Sequence, residues 1–230
     1  MALSNGNTVK VRTAGALRMG MNTLCESLGG RIVASFTHGP AIEVELAEGR
    51  CDADIVGLTQ DAIRKGVAEK TLTGRPIPVG SIHIGMAIRK GGHRPPIVSL
   101  ADFKAALQAA DTLIYTTAAS GDYIHGVIET MGLGAALSAK TERLATGSQV
   151  NERLMKGTKP FELAFGVATE LLFHGDQGVV YLGPLPDEIA SVTPYEFAAV
   201  SGRDSPAVAE LMAHLASEDV RELFAATGVD

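Results

Sequence analysis

The chain has 230 residues, 46% of them hydrophobic, and a formal net charge of −6. That length builds one large core or two smaller ones. The acidic balance, with no block of like charge, argues against a nucleic-acid surface, the absence of Trp argues against an aromatic-lined sugar site, and no apolar run reaches the length of a membrane span. Cys25 and Cys51 are the two thiols. They are either free and packed or joined in one disulfide, and they give no metal framework. A negative protein can still hold an anion, because local dipoles and hydrogen bonds decide that rather than the total charge. Met1–Lys10 is polar and lacks the apolar core of a signal peptide. The chain is therefore expected to be cytoplasmic if Met1 is the native start, and periplasmic if this is a mature form with an added Met.

Val9–Thr13 alternates as a strand, Ala14-Gly15-Ala16-Leu17 is a small-residue turn, and Arg18–Leu28 carries an apolar face at helical spacing before Gly29-Gly30 ends it. Arg31–Phe36 is the next strand. The turn Thr37-His38-Gly39-Pro40 follows, with Pro40 suited to a first helical turn, and then a helix over Ala41–Glu48 closed by Gly49. Asp54–Leu58 reads as a strand, Thr59-Gln60 as a turn and Asp61–Glu69 as a helix. This alternation predicts a parallel sheet with helices on both faces. Ile77–Arg89 is a long alternating strand without a following helix, and Ser99 caps the next helix.

Thr112–Gly134 is the most informative stretch. A buried strand, Leu113–Thr117, runs into the small residues Ala118–Gly121, then into helical spacing from Asp122 (Tyr123, Val127, Ile128, Met131) stopped by Gly132 and Gly134. Strand, small-residue turn and helix N-terminus together make the geometry of an anion pocket, since first-turn N–H groups lack internal partners and the dipole favours negative charge. The plainer alternative is an ordinary turn with Ser120 as N-cap. Lys140–Leu144 is a short strand, Gly147–Val150 leads a helix to about Lys156, Phe161–Val167 is strand-like and Thr169–His174 helical. Val179–Leu182 and Val192–Val200 are strands, and Ser205–Leu215 and Ser217–Thr227 are helices. The long strands Ile77–Arg89 and Val192–Val200 bracket the central segment. They predict an α/β fold of two lobes, one of residues 1–84 and 193–230 and one of 85–192, each a mixed, mostly parallel sheet flanked by helices. Ligands of open α/β sheets bind at the carboxyl ends of strands, so the cleft between lobes is the expected site.

Thr13-Ala14-Gly15-Ala16-Leu17, Ser35-Phe36 with its polar turn, the helix ending Glu48-Gly49, Ala53-Asp54-Ile55-Val56 and the tail Val220–Gly228 resemble the molybdate-binding proteins of ABC transporters. The resemblance spans nearly the whole chain and implies the type II periplasmic binding protein fold. It also implies an anion held by hydroxyls and backbone N–H groups, and transporter membrane subunits as partners if the chain is exported. Three positions depart from that pattern. Ala16 stands where a ligand-contacting serine is expected, His38-Gly39-Pro40 replaces a serine run, and Val167-Ala168-Thr169 lacks the expected tyrosine. Each lost donor leaves an anion oxygen unpaired, at a cost on the order of 1–3 kcal/mol. An organic carboxylate therefore fits better than molybdate.

The candidate ligand-binding residues are Ala14, Gly15, Ala16, Arg18, Thr37, His38, Gly39, Thr59, Ala119, Ser120, Gly121, Tyr123, Val150 and Thr169. Arg18 either pairs with a carboxylate bidentately or faces solvent. His38 is either an anion donor and acid/base candidate or a packed loop histidine. Asp122 and Glu170 read as helix-dipole residues, Gln149 or Asn151 as a cap, and His83 and His125 as structural. No metal or cofactor is expected, and no Ser-His-Asp order or phosphate loop is present. Two functions remain open: a solute-binding protein for a small anion, and a cytoplasmic isomerase or lyase of a small carboxylate on the same scaffold.

Overall fold

Short apolar strands alternate with amphipathic helices along the chain, and each switch of period marks an element boundary. The computed structural model describes residues 8–230, so the Met1–Asn7 part of the polar N-terminus lies outside the described residues. In order, the elements are β1 (Val9–Ala14), α1 (Arg18–Ser27), β2 (Ile32–Thr37), α2 (Gly39–Ala47), β3 (Ile55–Thr59), α3 (Gln60–Ala68), β4 (Leu72–Arg89), α4 (Leu100–Ala109), β5 (Thr112–Thr116) and α5 (Ala119–Thr130). They continue as α6 (Gly134–Leu137), β6 (Thr141–Leu144), α7 (Gly147–Met155), β7 (Glu162–Val167), α8 (Ala168–Phe173), β8 (Val179–Pro184), β9 (Val192–Val200), α9 (Pro206–Leu215) and α10 (Glu218–Ala225).

The chain forms two compact units, residues up to Ile82 with Thr193–Asp230, and His83–Val192. The passages from one to the other fall inside β4 and just after the first residue of β9. In the first unit the strand order is β2-β1-β3-β9, with β1 parallel to β2 and β3, and β9 antiparallel to β3. Ile42, Leu46, Val56, Leu58, Ile63, Ala198 and Val200 form the core where α2 and α3 cover one face. On the other face Phe197 of β9 meets Phe224 of α10 edge to face, ring centroids 5.9 Å apart. In the second unit β6-β5-β7 is a parallel set, and β4 runs antiparallel to β7 and β8. Phe103, Leu107, Ile124 and Ile128 of α4 and α5 pack on Met86, Leu113, Tyr115 and Phe165. Val150, Leu154 and Leu171 of α7 and α8 pack on Ala87, Ile114 and Ala164.

Four expectations change. β4 starts at Leu72, five residues before the expected Ile77. Gly74, with φ +75°, and Pro76 look like turn residues in sequence but sit within the strand. α5 begins at Ala119, so Ser120 and Gly121 lie inside the helix and Ser120 is not its cap. Gly132 ends α5 at φ +70°, whereas Gly134 opens α6 rather than stopping a helix. Neither Gln149 nor Asn151 caps α7. Thr146 does, with Gln149 as the reciprocal partner of a capping box. Cys25 and Cys51 are free thiols, and burial pushes both upward in pKa. No helix among the described residues is long and apolar enough to cross a membrane.

Gly57 of β3 shows how tightly the first unit is filled. A Cβ there would lie 2.6 Å from Phe197 Cε1, 2.9 Å from Thr13 Cγ2 and 3.0 Å from Leu17 Cδ1. All three neighbours are buried. Gly57→Ala should lower stability by about 1–3 kcal/mol through overpacking, read as a lower midpoint in urea with an unchanged m-value.

Candidate functional site

Parallel strands put all their carboxyl ends on one edge of a sheet, and the helices that follow start there. In the first unit that edge carries three strand-to-helix turns. Ala14 ends β1 and is buried. Gly15–Leu17 is a single 3₁₀ turn with Ala16 and Leu17 buried. Arg18 opens α1, is exposed, and holds its guanidinium 4.8 Å from the centroid of the Phe36 ring, a cation–π placement. Thr37 ends β2. His38 is exposed and occupies the cap position of α2, with no hydrogen bond from its side chain to the helix. Gly39 and Pro40 fill the first two helical positions. Thr59 ends β3 and accepts the Ala62 N–H at 3.4 Å, capping α3.

In the second unit α5 starts after Ala118, which supplies no side-chain cap. Ala119 is exposed and Ser120 half-buried, with its hydroxyl 3.4 Å from that of the buried Thr116. Gly121 is buried so closely on the Thr116 carbonyl that a Cβ has no room. The Tyr123 hydroxyl donates to the Ile189 carbonyl at 3.1 Å. Asp122 in the first turn is ion-paired with Arg143 of β6. Arg143 also donates to the Thr116 carbonyl at 3.3 Å and lies 5.6 Å from the Tyr115 ring centroid. Burial pushes the Tyr115 phenol up in pKa, with the Arg143 charge opposing. Val150 is buried in α7. Asn151, also buried, donates to the Glu170 carbonyl at 3.2 Å. The Glu170 carboxylate lies against Gly147, the first residue of α7. Thr169 is buried in α8, and its hydroxyl oxygen has no hydrogen-bond partner among the described residues.

The structure thus distributes the candidates over two edges. Ala14, Gly15, Ala16, Arg18, Thr37, His38, Gly39 and Thr59 lie at one, and Ala119, Ser120, Gly121, Tyr123, Val150 and Thr169 at helix starts of the other unit. Helix capping sorts them further. Among the helices of eight or more residues, α3, α4, α7, α9 and α10 carry a Ser or Thr cap. In contrast, α1, α2 and α5 have no side-chain cap. α1 continues from the 3₁₀ turn, whose Gly15 carbonyl accepts the Arg18 N–H, so the orphan N–H groups left for something other than the helix's own side chains are those at the starts of α2 and α5.

Sequence reasoning passed over two charged residues here. Arg143 sits in a short strand whose partner could not be read locally. Glu196 is 8% exposed on β9 and accepts from Gln60 Nε2 at 2.7 Å. Its signal was present: a lone carboxylate in the apolar run Tyr195–Val200.

Residues 21–230 match the family model described as bacterial extracellular solute-binding protein. The chain belongs to that family. Its fold is shared with the substrate-binding domain of a molybdenum ABC transporter from Clostridium difficile, at a TM-score of 0.72 and 14% identity over 97% of this chain and 98% of that one. The periplasmic molybdate-binding protein of Azotobacter vinelandii superposes equally, with a TM-score of 0.72 and 14% identity over 96% of this chain and 98% of that one. An aconitate isomerase from a Pseudomonas species is 29% identical over 180 residues, 77% of this chain and 67% of that protein.

The fit of Gly121 on Thr116 gives a direct check. Gly121→Ala must push α5 away from β5, so it should cost about 1–3 kcal/mol and lower the thermal midpoint. Ser120→Ala, which deletes only a hydroxyl paired at 3.4 Å, should leave that midpoint within about 2 °C of wild type.

Proposed function

We propose that the chain binds a small organic polycarboxylate at the uncapped start of α2 in the first unit, beside the cation of Arg18. The observation that carries this reading is the capping pattern: α2 is a longer helix that starts at the carboxyl end of its strand without a side-chain cap, whereas α3, at the next strand end, is capped by Thr59. Backbone N–H groups suit a carboxylate, whereas a tetrahedral oxyanion needs more donors than Ala16 and the His38–Pro40 turn provide. Arg18 adds a cation at the first turn, and His38 adds a ring N–H at the second. The aconitate isomerase relative, whose name denotes a tricarboxylate substrate, supports the same ligand class.

That relative also supports a second reading, in which the chain isomerises its carboxylate instead of delivering it. A binding protein would be exported and would hand its ligand to the membrane subunits of an ABC transporter. An isomerase would work on cytoplasmic metabolite.

Calorimetry with cis-aconitate, trans-aconitate, citrate and molybdate tests the reading. A tricarboxylate is expected to bind and molybdate to bind weakly or not at all; submicromolar molybdate affinity with no carboxylate binding would overturn it. Arg18→Ala should weaken carboxylate binding by roughly 1.5–3 kcal/mol. His38→Ala should lower affinity as well, and unchanged affinity in both variants would place the ligand elsewhere.

A further inference from the structure

Glu196 is a buried carboxylate that the binding reading leaves without a task. It stands opposite Leu58 in the antiparallel β3–β9 pair. Directly paired residues project to the same face of a sheet, so its side chain is on the Leu58 face. The start of α2 packs on that face too: a Cβ at Gly39 would meet Leu58 Cδ2 at 3.7 Å. Gln60, the first residue of α3, donates to Glu196 Oε1 at 2.7 Å. The carboxylate therefore lies at the carboxyl end of β3, next to the Thr59–Gln60 start of α3 and on the sheet face against which the start of α2 packs. It is held there by a neutral amide that orients it without cancelling its charge.

A fixed carboxylate at this place is a poor neighbour for a ligand carboxylate, because like charges at short range oppose each other. The part of a bound polycarboxylate that can meet Glu196 is an uncharged carbon. We propose that Glu196 is the catalytic base of an allylic isomerisation of a small unsaturated polycarboxylate; this rests on the isomerase reading above. The Glu196 carboxylate removes a proton from the methylene carbon next to the double bond. The C–H electron pair moves into the bond toward the central carbon, and the former double-bond pair shifts to the far alkene carbon. That carbon takes the proton back from the Glu196 carboxylic acid. One C–H bond breaks and one forms, the double bond moves by one carbon, and Glu196 ends as the carboxylate it began as. Neither oxidant nor reductant is consumed. Gln60 acts as a positioning residue through its hydrogen bond.

The test uses the full chain with cis-aconitate in D₂O, followed by proton NMR for trans-aconitate and for deuterium at the methylene position, with calorimetry on the same samples. Wild type should interconvert the isomers. Glu196→Gln should lower the rate by about 100-fold or more while trans-aconitate affinity changes by less than about tenfold, and Glu196→Asp should retain part of the rate. Matched thermal midpoints establish that the variants are folded. Should Glu196→Gln fail to fold, Gln60→Ala decides: a changed pH profile of kcat at similar KM supports the proposal, and an unchanged profile overturns it. Full activity in Glu196→Gln with loss in His38→Ala overturns it in favour of the histidine. Wild type that binds aconitate without isomerising it overturns the proposal and leaves the binding reading standing, and wild type that does neither overturns both.

Discussion

Parallel strand pairing is the constraint from which the rest follows. Once β1, β2 and β3 run the same way, and β5, β6 and β7 likewise, each strand must be followed by a helix that begins at one common edge. Six strand-to-helix turns are thereby delivered to two edges. Their backbone N–H groups are polar and directional, and the strand core beneath them is apolar and close-packed. Each edge therefore presents mostly main chain at these turns, and small residues fill several of them. Ala14, Ala16 and Gly121 are buried against the strands, so side-chain bulk at these points competes with packing before it can affect a ligand.

Electrostatics divide the six turns into two kinds. Where a turn already holds its own acceptor, the helix dipole is partly answered from within. Thr59 caps α3, Thr146 caps α7, and Glu170 rests on the first residue of α7. Asp122 at α5 is met by Arg143, which takes up its charge, so the first turn of α5 is not left with a bare negative residue. The starts of α1 and α2 are accompanied by Arg18 and His38 rather than by acids. The protein carries a net charge of −6, yet the charge around each helix start is set locally, by short-range dipoles and paired charges.

The burial of Glu196 belongs to the same economy of charge. A carboxylate removed from water is retained only where hydrogen bonds hold it, and here the side chain of Gln60 does so from the adjoining helix start. The family is one of solute-binding proteins, while one relative is an isomerase. One fold thus hosts both capture and chemistry, and the groups at the site, not the scaffold, decide between them.

The order of strands and helices was legible in the sequence because apolar period and Gly or Pro punctuation are local properties: Val9–Ala14, Gly29-Gly30, Pro40 and Gly49 each marked a boundary within a residue or two. The same locality exposed the small-residue turns after strands, and hence most of the candidate ligand positions. Errors came where a local signal had two meanings. The long strand was expected from Ile77 but begins at Leu72, through Gly74 and Pro76, and the alternative of Ser120 as a cap fails because Ala118 holds the cap position of α5. Tertiary structure alone decided the pairings between residues far apart in the chain. Arg143 meets Asp122 only because β6 lies beside β5, and Gln60 meets Glu196 only because β9 returns antiparallel to β3. Such partners are chosen by strand order and register, which depend on the packing of the whole core and leave no periodicity in either segment alone.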